Sequence, residues 1–318
     1  MTDKSLSLVV DMFGCPNRCG HCWLGHMPNR KMDGGSDIWI VDYFKPYFKN
    51  IEYYSWLREP DYCDDYRQRW ERDKRISVGI QPERFELASF WRIVRDPQYA
   101  KFLKEVGVKK VQLTFFGMEE MTDKYTGRKG SFKELEENKN DIIKLLQLAD
   151  MMRLKDKCYE FGADFKFLVH SGSCDGENRK LYGIRINKDN IPSELLPYYL
   201  DYSNVLSERE CCNLLENDSS CVVYHNGDRI VLNISNTYDV YFNFTHMTDV
   251  WKIGNLKSDD PDEIVRRIIS EDIPALTLAK NISVGELVQK YGDFQSQKVF
   301  FIDDYKSYLL NTYLENIK

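Results

Sequence analysis

No apolar run in this chain approaches the ~20 residues that cross a bilayer, so a membrane-spanning helix is not expected. The first ten residues hold an apolar stretch too short for a signal-peptide core and no small-residue cleavage site, and the expectation is a soluble, cytoplasmic protein. Basic charge is not in excess: 44 Lys and Arg stand against 50 Asp and Glu, a net charge of −6, with the two signs interleaved. That balance lacks the electrostatic footprint of a nucleic-acid-binding surface and argues against such a partner. There are no internal repeats and no low-complexity segments, which removes solenoids and disordered arrays.

What is present is material for a core: 318 residues, 42% hydrophobic and 14% aromatic, enough for one α/β barrel with an appendage or for two ordinary domains. Strands are predicted at 6–13, 51–56, 76–80, 108–116 and 164–170. Helices are predicted at 37–48 (Asp37 as cap; Ile38, Val41, Phe44 and Phe48 on one face), 62–73, 86–106 and, from a Ser131/Glu134 capping box, to about 150. Strands alternating with helices are the pattern of parallel βαβ units. Near residue 185 the pattern changes. Loop and short helix give way to an antiparallel hairpin over 221–244, with turns at Asn226-Gly227 and near Asn236. A helical tail follows, with helix starts at Asp260-Pro261-x-Glu263 and Ser283-x-x-Glu286.

Nine cysteines in a reducing compartment point to metal rather than disulfide staples. Three of them, Cys15, Cys19 and Cys22, fall within eight residues directly after the first strand. Soft thiolates so spaced bind iron–sulfur clusters or zinc. With His26 they would also make a Cys3His zinc knuckle, although structural zinc more often closes a small loop-rich module than the end of a buried strand. Three cysteines on a four-iron cubane leave one iron for an external ligand.

On these residues the sequence resembles the radical S-adenosylmethionine (radical SAM) superfamily, whose signature spaces three cysteines by three and two residues with a ring before the last, here His21. The resemblance implies a partial (βα)6 TIM-like barrel and a 4Fe–4S cluster on Cys15, Cys19 and Cys22. It also implies S-adenosyl-L-methionine on the open iron, cleaved to a 5′-deoxyadenosyl radical that takes hydrogen from a substrate. Leu57-Arg58-Glu59-Pro60 stands where the family often has Gly-Gly-Glu-Pro. Glu59 would keep the contact to the cofactor's amino group, while Leu57 and Arg58 put the usual backbone approach in doubt. Gln112 and Thr114 share one face of their strand and would meet the cofactor, and Arg128 would pair with its carboxylate. Each has a plainer reading: Glu59 as a turn acid, Gln112 and Thr114 facing solvent, Arg128 as a salt-bridge partner beside its helix. His170 is either a substrate acid/base or a structural histidine.

The C-terminal third, 186–318, resembles a degenerate SPASM/twitch-type module, a β-hairpin-plus-helix cap, set after a barrel domain of 1–185. Where a ligand cysteine is usual the chain has Tyr241-Phe242-Asn243-Phe244. Cys211, Cys212 and Cys221, with Cys158 and Cys174 upstream, leave an auxiliary cluster or a cluster-free cap open, and the cap is the favoured reading. The expected partners are a small-molecule or peptide substrate and a flavodoxin- or ferredoxin-like electron donor. With no cobalamin-type fold read before the motif and no winged helix recognised, neither methyl transfer through cobalamin nor a dedicated ribosomal-peptide maturase is expected. The alternative is a non-catalytic iron–sulfur sensor or electron carrier on the same scaffold.

Overall fold

The computed structural model describes residues 2–19, 22, 24, 27–84, 89–108, 119–137, 182, 185, 187–191, 193, 205–222, 228–242 and 249–317. Their contacts form two compact units. The first takes Met1–Cys19, Leu24–Asp150 and Asn226–Glu271; the second takes Gly20–Trp23, Met151–His225 and Asp272–Lys318.

The first unit is built on a mixed sheet. β1 (Thr2–Val10) runs parallel to β2 (Phe48–Tyr54), and the helix α1 (Ser36–Phe44) between them makes the expected βαβ crossover. On its other side β1 pairs, again in parallel, with β4 (Arg229–Ile234), which continues antiparallel into β5 (Asp239–Phe242) and β6 (Lys252–Asn255). The order is β2-β1-β4-β5-β6. A mixed α/β fold with a parallel-containing sheet is therefore observed.

Register explains why β4 belongs there. Leu6, Leu8 and Val10 stand beside Ile230, Leu232 and Ile234, all six buried, and α1 packs on β2 while α8 (Pro261–Ser270) packs on β6. The opposite face is polar: Ser7 Oγ donates to Glu52 Oε2 at 2.7 Å and accepts from Arg229 Nε at 2.7 Å. The hairpin expected to open a separate cap after residue 185 is thus part of this sheet. A central strand needs a partner on both edges, and 229–234 supplies the second one.

Several local expectations are corrected by long-range contacts. α1 begins after Gly35 in the left-handed region, so Asp37 is not its cap. Its buried carboxylate instead binds Arg69 and Arg72 of α2 (Tyr66–Ile76), which hold it below the usual carboxylate range against the cost of burial. Ile38 is largely exposed, and Ile40, Val41 and Phe44 carry the core face. The strand expected at 76–80 shrinks to one bridge, Val78 to Ile51, because Gly79 turns at φ +70° where a Cβ would lie 2.3 Å from Asn50 Oδ1.

The helix expected over 86–106 is two helices, α3 (Phe90–Arg95) and α4 (Tyr99–Glu105), parted at Asp96-Pro97. The Ser131/Glu134 capping box does not form. At the junction of α5 (Glu119–Thr126) and α6 (Ser131–Glu137), Asp123 is the stronger acceptor and takes the Gly130 and Phe132 N–H groups and the Ser131 hydroxyl. The strand at 164–170 and nearly all of 108–116 lie outside the described residues, as does the Asn226-Gly227 turn.

In the second unit β3 (Val205–Ser207) pairs antiparallel with β7 (Val299–Phe301). Around them stand α7 (Glu208–Leu215), α9 (Pro274–Ala279), α10 (Val284–Tyr291) and α11 (Ile302–Asn316). The Asp260 and Ser283 helix starts form as expected, Ser283 and Glu286 as a reciprocal box. No described helix is long and apolar enough to cross a membrane.

A chain ended at residue 185 would leave β1 with an open edge and its apolar face half covered. Such a fragment is expected to be insoluble or to melt without a cooperative transition, read by thermal unfolding beside the full chain. A soluble, cooperatively unfolding fragment would support the expected boundary there.

Candidate functional site

The cysteine loop leaves the sheet in stages. Asp11 still bridges to Trp56 and donates its N–H to Ile234 O at 2.9 Å. Gly14 then takes φ +77°, where any side chain would be strained, and a Cβ would lie 2.0 Å from Asn29 Oδ1. That oxygen accepts the Cys15 N–H at 2.9 Å, so the clasp closes only with glycine before the first cysteine. The Asn17 N–H points at Cys15 Sγ at 3.4 Å, a contact that favours the thiolate.

The loop is also tied to the turn between α5 and α6. The Arg18 N–H donates to Thr126 O at 2.8 Å, and Gly127, at φ +61°, permits the approach. Arg128 Nε donates to Asn17 Oδ1 at 2.7 Å, and its Nη1 pairs with Glu134 at 2.8 Å. The sequence assigned Arg128 to a cofactor carboxylate or to a salt bridge beside its helix. Here the salt bridge is made, and the same guanidinium reaches the cysteine loop.

Cys15, Cys19 and Cys22 are partly exposed thiols, and Cys22 lies in the segment that groups with the second unit. Among the described residues no three His, Cys, Asp or Glu side chains are gathered on a single metal ion. A cubane makes a different demand, since it spreads its thiolates over separate irons. The donor set fits that demand: three soft sulfur donors follow a buried strand, and one already receives a backbone N–H. His21, Gln112 and Thr114, and with them His26 and His170, lie outside the described residues.

Arg58 does what the sequence did not anticipate. Its side chain is 5% exposed and that of its partner Asp11 is 1% exposed. Nε and Nη2 grip both Asp11 oxygens at 2.9 and 2.8 Å, while Nη1 and Nη2 reach Met27 O at 3.3 Å and Pro28 O at 2.9 Å. Asn236, from the turn between β4 and β5, donates its Nδ2 to Asp11 Oδ2 at 2.9 Å and to Pro28 O at 2.8 Å. Asp11, Asn29 and Asn236 were missed in the sequence. Only Asp11 left a signal, an acid at the end of a buried strand.

Glu59 follows on the same turn. Ser89 Oγ donates to its Oε1 at 2.5 Å. Burial pushes the Glu59 carboxyl up to about 7, against the Ser89 hydroxyl, the Trp91 N–H and the nearby Arg128, which favour its charge. The turn is fixed from beneath by Asp61 at φ +55°, whose buried carboxylate pairs with Arg84 and accepts the Tyr99 hydroxyl at 2.5 Å. Arg84 lies over the Trp56 ring, 4.6 Å from its centroid.

In the second unit Cys211 and Cys212 are fully buried on α7. Burial lifts the Cys211 thiol to about 12, and Cys212 Sγ is 3.1 Å from Tyr305 Oη. Those are the surroundings of core thiols. Cys221 is partly exposed, its Sγ near Lys280 O.

The raised Glu59 carboxyl has a signed consequence. Between the ordinary value of 4.5 and about 7 the folded chain holds a proton that the unfolded chain has lost. Folding stability gained from that proton is present at low pH and is lost as pH rises through about 7. Glu59→Gln is expected to flatten the fall in stability between pH 5 and 8 by on the order of 2–3 kcal/mol, read by urea unfolding at both pH values. An unchanged slope would place the carboxyl in water.

No protein-family profile and no curated protein matches the sequence. Among solved structures, the chain is similar to native anSMEcpe, an anaerobic sulfatase-maturating enzyme, with bound AdoMet and Cp18Cys peptide, at 15% identity and a TM-score of 0.44, covering 99% of this chain and 100% of that one. It is likewise similar to a histidine-tagged form of anSMEcpe with bound AdoMet, at 13% identity and a TM-score of 0.43, over 98% of this chain and 94% of that one. At these scores the likeness carries no weight for the chemistry, which the residues of the site must support themselves.

Proposed function

We propose that this chain is a radical SAM enzyme acting on a small-molecule or peptide substrate. The observation that carries the proposal is the Cys15-x3-Cys19-x2-Cys22 spacing on a loop that leaves the end of a central parallel strand and is pinned at Gly14, Asn17 and Arg18. Cys15, Cys19 and Cys22 would hold a 4Fe–4S cluster. Bound there and reduced by an external flavodoxin- or ferredoxin-like donor, the cluster would supply reductive cleavage of S-adenosyl-L-methionine, and so a 5′-deoxyadenosyl radical able to take hydrogen from substrate.

The chain's own residues divide the remaining work. The Asn17 N–H favours thiolate over thiol at Cys15. Glu59 stands ready to accept a donor from the cofactor's amino group, and pairing with that cation would draw its carboxyl back toward the charged form. Arg128 supplies positive charge beside both Glu59 and the loop. His21, Gln112 and Thr114 complete the proposed cofactor contacts. A partial (βα)6 barrel carrying these residues is compatible with the mixed sheet, and a cap of the kind expected over 186–318 would keep water from a reactive species.

The test is anaerobic reconstitution with iron and sulfide, then reduction by dithionite with S-adenosylmethionine present, measuring 5′-deoxyadenosine. The wild type is expected to release it, and the triple variant Cys15→Ala, Cys19→Ala, Cys22→Ala to release none. A four-iron cluster that yields no product would sink the catalytic reading and favour the iron–sulfur sensor or electron carrier. Zinc in place of iron would sink both.

A further inference from the structure

We infer that Arg58 is a positioning residue for the cysteine loop, a guanidinium bracket that fastens the loop's return limb to the end of β1 and thereby presets Cys15 and Cys19 for their metal. The inference rests on the proposed iron–sulfur function but is carried by a separate set of contacts.

The geometry is that of a clamp rather than a surface ion pair. Two of the Arg58 nitrogens take both oxygens of Asp11, the last residue hydrogen-bonded to β4, at 2.8 and 2.9 Å. Donors remaining on Nη1 and Nη2 go to the backbone oxygens of Met27 and Pro28, where the chain returns from the cysteines. The next residue, Asn29, accepts the Cys15 N–H, and a Cβ on Gly14 would lie 3.2 Å from Arg58 Nη2. Outgoing and returning limbs are therefore held within contact distance of one guanidinium. Asn236 doubles the clamp from the neighbouring strand, touching both Asp11 and Pro28. The Met32 N–H adds a bond to Met12 O at 2.9 Å.

A lysine could keep the charge beside Asp11. It could not offer a planar fork to one carboxylate and two further carbonyls at once. Preset ligands lose less freedom when they bind, so the bracket acts on metal retention as hydrogen bonds behind metal ligands generally do. At the position where the resemblance expects glycine, this chain holds the loop by a side chain.

Arg58→Lys tests the assignment, with thiol alkylation of the metal-free protein as a readout independent of activity. Cys63, 3% exposed in the aromatic core of the same unit, serves as the internal control for unfolding. Iodoacetamide labelling of Cys15 and Cys19, followed by peptide mass spectrometry, is expected to quicken roughly tenfold while Cys63 stays protected, the mark of a loop opening locally. After reconstitution the variant's cluster is expected to be lost to a chelator about tenfold faster than that of the wild type.

Labelling of the variant's Cys15 and Cys19 at the wild-type rate would overturn the inference, and so would a parallel rise at Cys63, which would give Arg58 to the fold as a whole. The pair Asp11→Asn with Arg58→Gln leaves no buried charge unpaired and is expected to show the same selective labelling. If the wild type takes up no cluster, the functional reading fails, and the labelling comparison still decides the bracket.

Discussion

A strand that ends beneath a metal-binding loop has to be stopped and held at the same point, and here Asp11 does both. Its backbone N–H makes the last bond to β4, through Ile234 O, while its carboxylate collects Arg58 and Asn236 from two other elements. A carboxylate with 1% of its side chain exposed cannot stand unpaired. β2, which leads into Arg58, and the turn after β4, which carries Asn236, are therefore constrained by the same charge. The parallel pairing of β1 on both sides makes this possible, because it delivers two neighbouring chain ends to one corner of the sheet. The bracket follows from topology as much as from the residues that form it.

The elements whose causes are local could be read from the sequence. β1, α1 and β2 and the Asp260 and Ser283 helix starts all depend on residues within a few positions of each other. The break at Pro97 and the reciprocal box at Ser207 and Glu210 are equally local, yet neither is among the elements expected from the sequence. Failures came where a distant partner displaced a near one. Ser131 offered a local cap, but Asp123 took its hydroxyl; Asp37 offered another, but Arg69 and Arg72 took its carboxylate. The hairpin at 229–242 is antiparallel as its pattern indicates, yet nothing within it could announce that its first strand would also pair with β1, more than two hundred residues earlier.

The candidate site divides in the same way. Cys15, Cys19 and Cys22 are visible because a spacing is a property of sequence. Glu59 is singled out only by the resemblance, as the acid that Leu57-Arg58-Glu59-Pro60 shares with Gly-Gly-Glu-Pro. Arg58 stood in plain view and was treated as an obstacle, since a side chain in place of glycine suggests bulk unless the acid that will bury it is known. Asn17 and Asn29 could not be singled out, because their roles lie in the angle at which the loop comes back.

Four acids of the first unit separate into two kinds, according to the balance between loss of water and the partners each one meets. Asp37 and Asp123 are held below their ordinary range because guanidinium forks in one case, and backbone N–H groups with a hydroxyl in the other, outweigh the loss of water. Among the described residues Glu59 and Asp73 have no cation at ion-pair distance; Ser89 reaches the one, and the Ser55 N–H the other at 2.9 Å, and burial carries both up to about 7. Asp37 and Asp123 fasten helices, a task that needs a permanent charge. Glu59 stands on the turn that Arg58 anchors, with its charge unsettled near neutral pH. A carboxyl in that condition is stabilised by a cation that comes to it, which is the role proposed above for Glu59 toward the cofactor's amino group.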